Sequence, residues 1–304
     1  MNSELKEKLA RISRVFDIKE ITTLHFDKKY IQEYYQINRI PYSVFHTRTG
    51  LIHMGISRDG IYKEDDLLEQ SRIVEQYIHR TKAQRVLELA TGRGGNSVRL
   101  AKRHGGVSFY GIDMSQEQLN YAFERAKEVH NYHPILGDFH DLGQFEKESF
   151  DVIFVVEALC HSTTKERVFS EILRVLKTGG TFIIFDGYLQ AERAKLSGDE
   201  GIAVRLFESG MALEPLEEYR VVRDKLLAAQ FVVEEEEELS LCILPTLTRF
   251  EKKAHPMFAY PLLGKALLHV LPTKFLYNAV TGYIGATLVK SDIVSYWVTV
   301  ARKS

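Results

Sequence analysis

The feature that most limits the fold of this chain is a short apolar run that leads into three glycines and then into a helical pattern. Residues 86–102 read VLELATGRGGNSVRLAK, in which a strand-like run is followed by Gly92, Gly94 and Gly95. Glycine permits a tight turn and lets a ligand approach the backbone closely. The helix that follows would present free N–H groups and the positive end of its dipole to an anion. This strand–loop–helix unit predicts a parallel sheet with a ligand site at the loop.

Six further runs have the β-branched and aromatic composition of strands, and apolar residues at helical spacing separate them. This alternation predicts βαβ units. Residues 177–180, KTGG, predict the end of a helix and a turn into the fifth strand. The seven predicted strands are residues 86–90, 108–113, 133–137, 151–156, 181–186, 231–239 and 296–301.

Composition and charge limit the class of protein. The 304 residues are 45% hydrophobic, enough for a sizeable core, and 40 basic against 41 acidic residues provide no overall positive field for nucleic acid. Two cysteines, Cys160 and Cys242, make neither a disulfide framework nor a zinc site. The amino-terminal residues lack an apolar signal core, and the longest uncharged run, residues 275–289, is shorter than the roughly 20 residues of a spanning helix. We therefore expect a reduced, soluble, cytoplasmic protein.

Two acidic residues stand at the predicted carboxyl ends of the second and third strands. Asp113 follows Glu88 by 25 residues, and Asp138 follows Asp113 by another 25. An acid at the end of the second strand can accept hydrogen bonds from both ribose hydroxyls of an adenosine. Asp138 could accept the adenine amino hydrogens, with Phe139 beside the ring. The structural alternatives are a helix cap or a solvated strand end for Asp113 and an ordinary turn for Asp138.

A third acid, Glu157, stands at the end of the fourth strand in FDVIFVVEALCH, residues 150–161. Ligands of open α/β sheets bind at this edge. A carboxylate beside an apolar cleft has a raised pKa and can act as a base. Cys160 and His161 follow at once. The alternative is a structural glutamate that accepts hydrogen bonds from neighbouring backbone N–H groups.

These segments, in this order and with EILRVLKTGGTFIIFD at residues 171–186, resemble a class I S-adenosylmethionine-dependent methyltransferase. The resemblance covers about residues 84–240, and residues 295–302 fit the family's antiparallel last strand. It implies S-adenosylmethionine as cofactor and S-adenosylhomocysteine as product. Ala90 stands where the family usually has glycine, and Thr91 where it often has cysteine. The residues that the resemblance assigns to the cofactor site are Glu88, Ala90, Gly92, Gly94, Asp113, Met114, Asp138 and Phe139.

A second, shorter resemblance concerns the flanks of this region. EYYQIN, YSVFH and GLIHMGIS, within residues 33–57, resemble the lid of sterol, tocopherol and prenyl diphosphate C-methyltransferases, and VVEALCH is similar to a stretch of the sterol enzymes. This likeness implies that Glu157 and His161 belong to the acceptor site. It implies lid roles for Tyr34, Tyr35, His46 and His53.

The expected fold is therefore α/β, a doubly wound and mostly parallel seven-stranded sheet. Residues 1–80 would form an N-terminal helical lid and acceptor region, residues 81–240 the Rossmann-like cofactor core, and residues 241–304 a helical cap plus the final strand. Residues 255–289 are richer in apolar residues than a surface loop requires. We expect them to line a lipophilic pocket; a face resting on a membrane, a homodimer contact and an ordinary part of the core are the alternatives. The acidic run 234–238 would be the solvated edge of the sixth strand.

The favoured function is methyl transfer to carbon or oxygen of a lipophilic small molecule, such as an isoprenoid, sterol-like, polyketide or phenolic acceptor. Glu157 is the candidate base or cation stabiliser. A cyclase-like enzyme that does not methylate, or a binding module, could use the same fold. An NAD-dependent oxidoreductase is disfavoured because Ser97 occupies the last glycine position of G-x-G-x-x-G. No nucleic-acid partner is expected.

The remaining histidines show no metal-binding spacing such as H-E-x-x-H, and we expect no protein-bound metal. We interpret as surface or core residues His25, His79, His104, His130, His133, His140, His255 and His269.

Overall fold

The computed structural model describes residues 3–38 and 50–304, except for the side chains of Lys28, Gln32 and Tyr35. Within these residues, seven strands form one sheet. Each strand overlaps one of the predicted runs, so the strand prediction is confirmed. The strands are β1 (Arg85–Leu89), β2 (Ser108–Asp113), β3 (Tyr132–Leu136), β4 (Phe150–Val156), β5 (Leu176–Leu189), β6 (Phe231–Glu238) and β7 (Val294–Lys303).

The strand order is β3-β2-β1-β4-β5-β7-β6, and β1–β5 run parallel. β7 pairs antiparallel with both β5 and β6. The chain leaves β1 and β4 toward opposite edges of the sheet, and such a switch point opens a crevice at the carboxyl ends of the strands. Leu89 pairs with Val155, so the loop after β1 lies beside the residues that follow β4. The predicted doubly wound, mostly parallel sheet is confirmed.

Helices cover both faces of the sheet and form an added layer at one end. α4–α6 pack on one face, and α7 and α9 pack on the other. The first of these two cores continues into α1, α8 and α10–α12. In the part of the chain that the structure describes, no helix is both long and apolar enough to cross a bilayer. The helices are α1 (Ser3–Ile12), α2 (Ile18–Thr22), α3 (Lys28–Ile37), α4 (Glu69–Thr81), α5 (Gly95–Arg103), α6 (Gln116–Ala126), α7 (Lys165–Val175), α8 (Gly198–Gly210), α9 (Tyr219–Ala228), α10 (Ser240–Ala259), α11 (Pro261–Leu268) and α12 (Thr273–Lys290).

The three helices α10–α12 form the cap predicted before the last strand. Of the amino-terminal helices, α1 packs on α8, α10 and α12, α2 packs on α8, and α3 packs on α12. Buried Lys8 on α1 donates hydrogen bonds to Glu251 on α10 (2.5 Å) and to Thr287 on α12 (2.6 Å). Loss of one partner from such a buried pair is costly because it leaves an uncompensated charge. α4, by contrast, packs against β4 and β5 and belongs to the layer that covers the sheet.

The start of β5 differs from the prediction. The strand begins at Leu176, so the KTGG stretch lies within it and is not a turn between helix and strand. The pairing with β4 shifts register here, and Gly179 has a φ of +75°, which glycine adopts without strain. The predicted turn is therefore wrong, because a glycine pair is also the signal of an irregularity inside a strand.

The acidic run 234–238 lies on β6 at the edge of the sheet and is exposed, as predicted. Arginines from neighbouring elements face it. The pairs are Arg80–Glu235 (2.8 Å), Arg58–Glu237 (2.7 Å), Arg223–Glu236 (2.8 Å) and Arg302–Glu234 (2.5 Å).

Candidate active site

A cavity of about 740 Å³ opens at the carboxyl ends of β1, β2, β4 and β5. Its volume lies in the range of small-molecule sites. The loops that follow the strands line one part, and α8 and the cap helices line another. The predicted site residues that the structure brings to its wall are Tyr34, His53, Glu88, Ala90, Gly92, Asp113, Met114, Asp138, Phe139, Glu157 and His161.

The loop between β1 and α5 reverses the chain within a few residues. Ala90, Gly92 and Gly94 all have positive φ, at 50°, 54° and 74°. Gly94 lies behind the cavity wall, where an added Cβ would meet the Tyr132 hydroxyl at 2.9 Å. Both the packing and the positive φ therefore require glycine at position 94. Ala90 adopts a conformation that costs a residue with a side chain about 1–2 kcal/mol, so this position carries strain that glycine would avoid.

Glu88 braces this loop from below. Its buried carboxylate accepts hydrogen bonds from Thr91 Oγ1 (2.7 Å), Ser97 Oγ (2.6 Å) and Asn96 Nδ2 (3.1 Å). Burial raises the pKa of Glu88 to about 7, although these hydrogen bonds act in the opposite direction. Because all three partners belong to the loop or the first turn of α5, Glu88 maintains the loop's shape while it borders the cavity.

Asp113 joins the loop after β1 to the end of β2. Its Oδ2 accepts a hydrogen bond from Gly92 N (2.9 Å), and its Oδ1 accepts one from Ser115 N (2.8 Å). Burial raises the pKa of Asp113, and the two backbone hydrogen bonds oppose that shift. A carboxylate has about four acceptor positions. Asp113 can therefore accept further hydrogen bonds from the hydroxyls of a ligand in the cavity.

Asp138 lies beside a histidine that the sequence pattern placed in the core or on the surface. Asp138 Oδ1 is 2.6 Å from His140 Nδ1 and accepts a hydrogen bond from His140 N (3.0 Å). His140 Nε2 lies 2.8 Å from Ser162 Oγ, and the ring stacks on Phe139. His140 also lines the cavity. It therefore orients Asp138, and its place two residues after a strand-end acid is the sequence signal for that role.

Glu157 follows β4 with a φ of 50° and borders the cavity. Its Oε1 accepts hydrogen bonds from Met54 N (2.7 Å) and Tyr296 OH (2.9 Å). Gln70 Nε2 donates to Met54 O (2.6 Å) and lies 3.5 Å from Tyr296 OH. These four residues form a closed ring of hydrogen bonds that joins α4, β7 and the end of β4. The sequence analysis did not identify Met54, Gln70 or Tyr296 as site residues.

The carboxyl group of Glu157 titrates near neutral pH. Burial raises its pKa to about 8, and the charge of nearby Asp186 adds to the shift. The hydrogen bonds from Met54 and Tyr296 act in the opposite direction. Asp186 accepts hydrogen bonds from Cys160 N (2.9 Å) and from its own neighbour's backbone N–H (2.8 Å). At pH 7 Glu157 is mostly protonated, and a positive charge beside it would favour the carboxylate.

Two histidines of the cavity wall are neutral. Burial lowers the pKa of both His53 and His161 to about 4. His53 Nδ1 lies 3.1 Å from Met54 O, whereas His161 hydrogen-bonds the backbone of Ala212. His161 thus borders the same cavity as Glu157 but contacts a different part of the chain.

The predicted lid residues are only partly described. Tyr34 on α3 is buried and lines the cavity. The side chain of Tyr35 and the whole of His46 lie outside the described residues. Arg205 on α8 donates hydrogen bonds to the carbonyl oxygens of Thr22 (3.1 Å) and Leu24, which holds the chain just before α3 begins.

The wall opposite the strand ends is apolar. The cap residues 255–289 contribute to it, as predicted, and α8 with the residues after it contributes a part that the sequence analysis did not foresee. The apolar side chains of this wall include Phe207, Leu213, Leu216, Ile243, Leu247, Phe250, Met257, Leu267, Leu271, Phe275 and Leu276.

Among the described residues, one group of side chains lies close enough together to hold a metal ion. It consists of Glu75, His79 and His104, between α4 and α5. Glu75 already accepts hydrogen bonds from Arg103 and His104, and no member of the group lines the cavity.

Residues 80–219 match a family model described as a methyltransferase domain. The chain carries a methyltransferase domain. This domain spans β1–β5 and contains the glycine loop, Asp113, Asp138 and Glu157. S-adenosylmethionine is the methyl donor of this class, so the predicted family and cofactor are confirmed.

A curated relative of the methyltransferase domain is the sterol 24-C-methyltransferase of Kluyveromyces lactis. It is 28% identical over 158 residues, a match that covers 51% of this chain and 42% of the relative. The chain spans about half or less of the first curated relatives that it matches.

Two solved structures share the fold over most of the chain. Mycolic acid cyclopropane synthase CmaA1 has a TM-score of 0.75 at 16% identity, over 92% of this chain and 99% of that one. The (4+2)-cyclase SpnF has a TM-score of 0.67 at 23% identity, over 90% and 96%. At these identities the likeness shows the fold alone.

Proposed function

We propose that this chain transfers a methyl group from S-adenosylmethionine to carbon or oxygen of a lipophilic small molecule of the isoprenoid, sterol-like, polyketide or phenolic kind. The observation that carries the proposal is a single cavity with acidic strand ends on one side, an apolar wall on the other and Glu157 in between. The sterol-methylating relative and the fold shared with a mycolic acid cyclopropane synthase support a lipophilic acceptor.

The residues at the strand ends fit the cofactor. Asp113 can accept hydrogen bonds from the ribose hydroxyls, and Asp138 from the adenine amino group. Gly95 and Asn96, in the first turn of α5, line the cavity where a helix amino terminus favours a carboxylate. When bound, S-adenosylmethionine supplies a methyl group on a positively charged sulfur. The protein then has to position the acceptor and exclude water, and positioning contributes about 7–11 kcal/mol in favourable cases.

Glu157 is the base or cation stabiliser in this proposal. Methylation of an alkene leaves a carbocation on the acceptor, and a neighbouring carbon must lose a proton to restore the double bond. The Glu157 carboxylate accepts that proton, or the hydroxyl proton of a phenol. A positioned base contributes about 10²–10⁴-fold in rate. With a positively charged cofactor bound beside it, Glu157 would have a pKa below its value of about 8, which favours the ionised form. His161 is a second acceptor-site candidate on the same wall.

The amino-terminal region is the lid in this proposal. Residues 1–80 supply this lid, apart from α4, which packs on the sheet. The lid would close over the cofactor core of residues 81–240, and residues 241–304 would supply the cap and the last strand. Tyr34, Tyr35, His46 and His53 belong to the lid. An aromatic face near the positively charged sulfur would stabilise it by about 0.5–2 kcal/mol, and closure would exclude water.

The test is transfer of isotopically labelled methyl from S-adenosylmethionine into an organic extract of the source cells. We expect label in an organic-soluble product with the wild type. Glu157→Gln should lose about 10²–10⁴-fold in rate and keep its affinity for S-adenosylhomocysteine. Glu171→Gln is the matched control, because Glu171 also accepts a backbone hydrogen bond, from Leu142 N, but lies outside the cavity. Full activity of Glu157→Gln would assign Glu157 a structural role.

A second candidate is a reaction on the same fold without methyl transfer, such as a cyclisation. The protonated state of Glu157 at pH 7 favours it, because a neutral carboxyl can donate a hydrogen bond or a proton to an acceptor. The fold shared with the cyclase SpnF is compatible with this alternative. Tight binding of S-adenosylhomocysteine together with a product of unchanged mass would favour it.

A further inference from the structure

Helix α11 is apolar on both of its sides. Its inner side packs into the protein, where Gly264 is buried and Leu267 lines the cavity. Its outer side carries Leu262, exposed by 86%, and the following turn carries Val270, exposed by 78%. A surface helix of a globular protein ordinarily presents polar residues to water. A side with large exposed apolar groups therefore indicates a contact with something outside this chain.

The exposed apolar residues form one continuous surface. Leu262 and Ala266 are four residues apart and share a side of the helix, and Val270 is four residues further on. Tyr260 and Leu263 flank them with exposures of 68% and 44%. We call these residues, 260–270 on their outer side, the α11 patch.

The segment that carries the α11 patch is basic. Residues 252–290 contain five lysines and two histidines and no aspartate or glutamate, although the whole chain is nearly neutral. One of the five, Lys274, is paired with Glu33 on α3 at 2.6 Å. Lys252 and Lys265 are exposed, as are His255 and His269. Exposed leucine and valine beside lysines fit the interface of an anionic lipid bilayer, where apolar groups enter the acyl boundary and lysines meet the headgroups. A protein partner with a hydrophobic groove would need no such excess of positive charge.

We propose that the α11 patch rests on an anionic phospholipid bilayer and that lipophilic acceptors reach the cavity from this membrane surface. The two sides of α11 and of the turn after it make this geometry direct, because Leu267 and Leu271 line the cavity while Leu262 and Val270 lie on the outside. One helix separates the acceptor wall from the bilayer. The route of the acceptor rests on the proposed function; attachment to the membrane does not, and it can be measured without any reaction.

The experiment is co-sedimentation of the full chain with vesicles of phosphatidylcholine alone and of phosphatidylcholine mixed with phosphatidylglycerol. The wild type should bind the mixed vesicles, with weaker binding as salt increases. The double variant Leu262→Ser/Val270→Ser should bind about tenfold or more weakly, because two apolar groups no longer enter the bilayer. Lys265→Glu should weaken binding to the mixed vesicles and leave binding to phosphatidylcholine unchanged.

Leu241→Ser is the matched control. Leu241 is exposed by 75% but lies near the start of α10, about 27 Å along that helix from its last residue. It should bind vesicles as the wild type does. Failure of the wild type to bind either kind of vesicle would overturn the proposal. So would a stable dimer in solution that the Leu262→Ser/Val270→Ser variant dissociates, because the patch would then face a second copy.

A second measurement separates membrane attachment from the reaction itself. With the acceptor embedded in mixed vesicles, the double variant should lose activity in proportion to its lost binding. With the same acceptor in neutral detergent micelles, both proteins should react equally. Vesicle binding without any methyl transfer would support the membrane surface and refute the proposed function, while equal losses in both settings would refute the route.

Discussion

The hydroxyl of Tyr296 on β7 donates a hydrogen bond to the Glu157 carboxylate at 2.9 Å, although 139 residues separate the two in the chain. This bond lowers the pKa of Glu157 against the effect of burial. Tyr296 therefore controls how much of the carboxylate is available near neutral pH. Its own contact with the reacting atoms is not required for that role.

Tyr296→Phe should shift the pH dependence of the reaction. Without the hydroxyl the pKa of Glu157 rises further, so less carboxylate is present at pH 7 and the acid limb of the kcat/KM profile moves to higher pH. Tyr121→Phe, which changes an exposed tyrosine outside both the cavity and the α11 patch, should leave the profile unchanged. An unchanged profile with Tyr296→Phe would show that the hydrogen bond does not tune Glu157.

The stability of the protein should fall between about pH 6.5 and 8. The folded pKa values of Glu88 and Glu157, about 7 and 8, lie above the ordinary value of 4.5, so the folded state holds more protons and loses this stability as pH rises. The lowered pKa values of His53 and His161, about 4 against an ordinary 6.5, have the opposite effect, so stability from these two groups increases as pH rises to about 6.5. Below about pH 6.5 the two effects therefore oppose each other, and above it only the loss from the two glutamates remains. Each group changes the free energy of unfolding by about 1.4 kcal/mol per pH unit in the range between its unfolded and its folded pKa.

Urea unfolding of the wild type and Glu157→Gln at several pH values measures this effect. The stability of the wild type relative to the variant should decrease steadily from about pH 5 to 8. Parallel pH curves for the two proteins would contradict the raised pKa.

Asp113→Asn should weaken binding of S-adenosylhomocysteine by roughly tenfold to a hundredfold, because charged hydrogen bonds contribute about 1.5–3 kcal/mol each. Calorimetric titration measures the change. Asp151→Asn is the control: Asp151 also accepts two backbone hydrogen bonds, from Gln84 N and Arg85 N, but lies at the opposite end of its strand. It should lower stability and spare the affinity. Equal losses of affinity in both variants would show that the loss comes from a general disturbance of the fold and not from a lost contact with the ligand.

Ala90→Gly should raise the free energy of unfolding by up to about 1 kcal/mol. Relief of the left-handed strain, about 1–2 kcal/mol, exceeds the entropic cost of glycine in the unfolded chain, about 0.4–1 kcal/mol. Ala101→Gly, in the middle of α5, should instead lose about 1 kcal/mol or more. Thermal or urea unfolding should therefore show opposite signs for the two alanine-to-glycine changes. Destabilisation by both would refute the strain at Ala90.

Gly264→Val should displace α11 from α10. A Cβ at Gly264 would lie 2.6 Å from Met257 O and 2.8 Å from a methyl group of Val15, so the helix must move at a cost of about 1–3 kcal/mol. We expect a higher KM for the acceptor and an unchanged affinity for S-adenosylhomocysteine. Gly198→Ala, at the start of α8 with open space around its Cβ position, should change neither. An unaltered acceptor KM with Gly264→Val would argue against α11 as a wall of the acceptor site.

The strands and the acids at their ends could be predicted from the sequence because their signals are local. Asp113 ends the aromatic and apolar run SFYGID, and Glu157 directly follows the β-branched run VIFVV. The spacing of such runs reflects one βαβ unit. The turn at KTGG was misread because the same glycines allow a turn and a strand irregularity. α10 was harder to foresee, because a helix that continues through Pro245 and Pro256 depends on packing of its apolar side.

The ring around Glu157 could not be predicted, because its contacts join residues that are far apart in the chain. Met54 lies 103 residues from Glu157, and Gln70 lies 226 from Tyr296. No local pattern of polar and apolar residues records such a pairing. His140 was missed for a different reason. Its position two residues after Asp138 shows that the two are neighbours, but only the folded structure shows that its ring also contacts Ser162.

The closed ring around Glu157 sets an order in which the two parts of the site can form. The hydrogen bonds that shape the cofactor loop join residues close in sequence: Glu88 and Ser97 are 9 residues apart, and Gly92 and Asp113 are 21 apart. The ring instead forms only when β7 inserts between β5 and β6 and brings Tyr296 to Glu157, which is 139 residues away in the chain. Because contacts between distant residues form more slowly, a refolding chain should regain cofactor affinity before it regains activity. The enzyme would pass through a state that holds its methyl donor without yet having a base to use it.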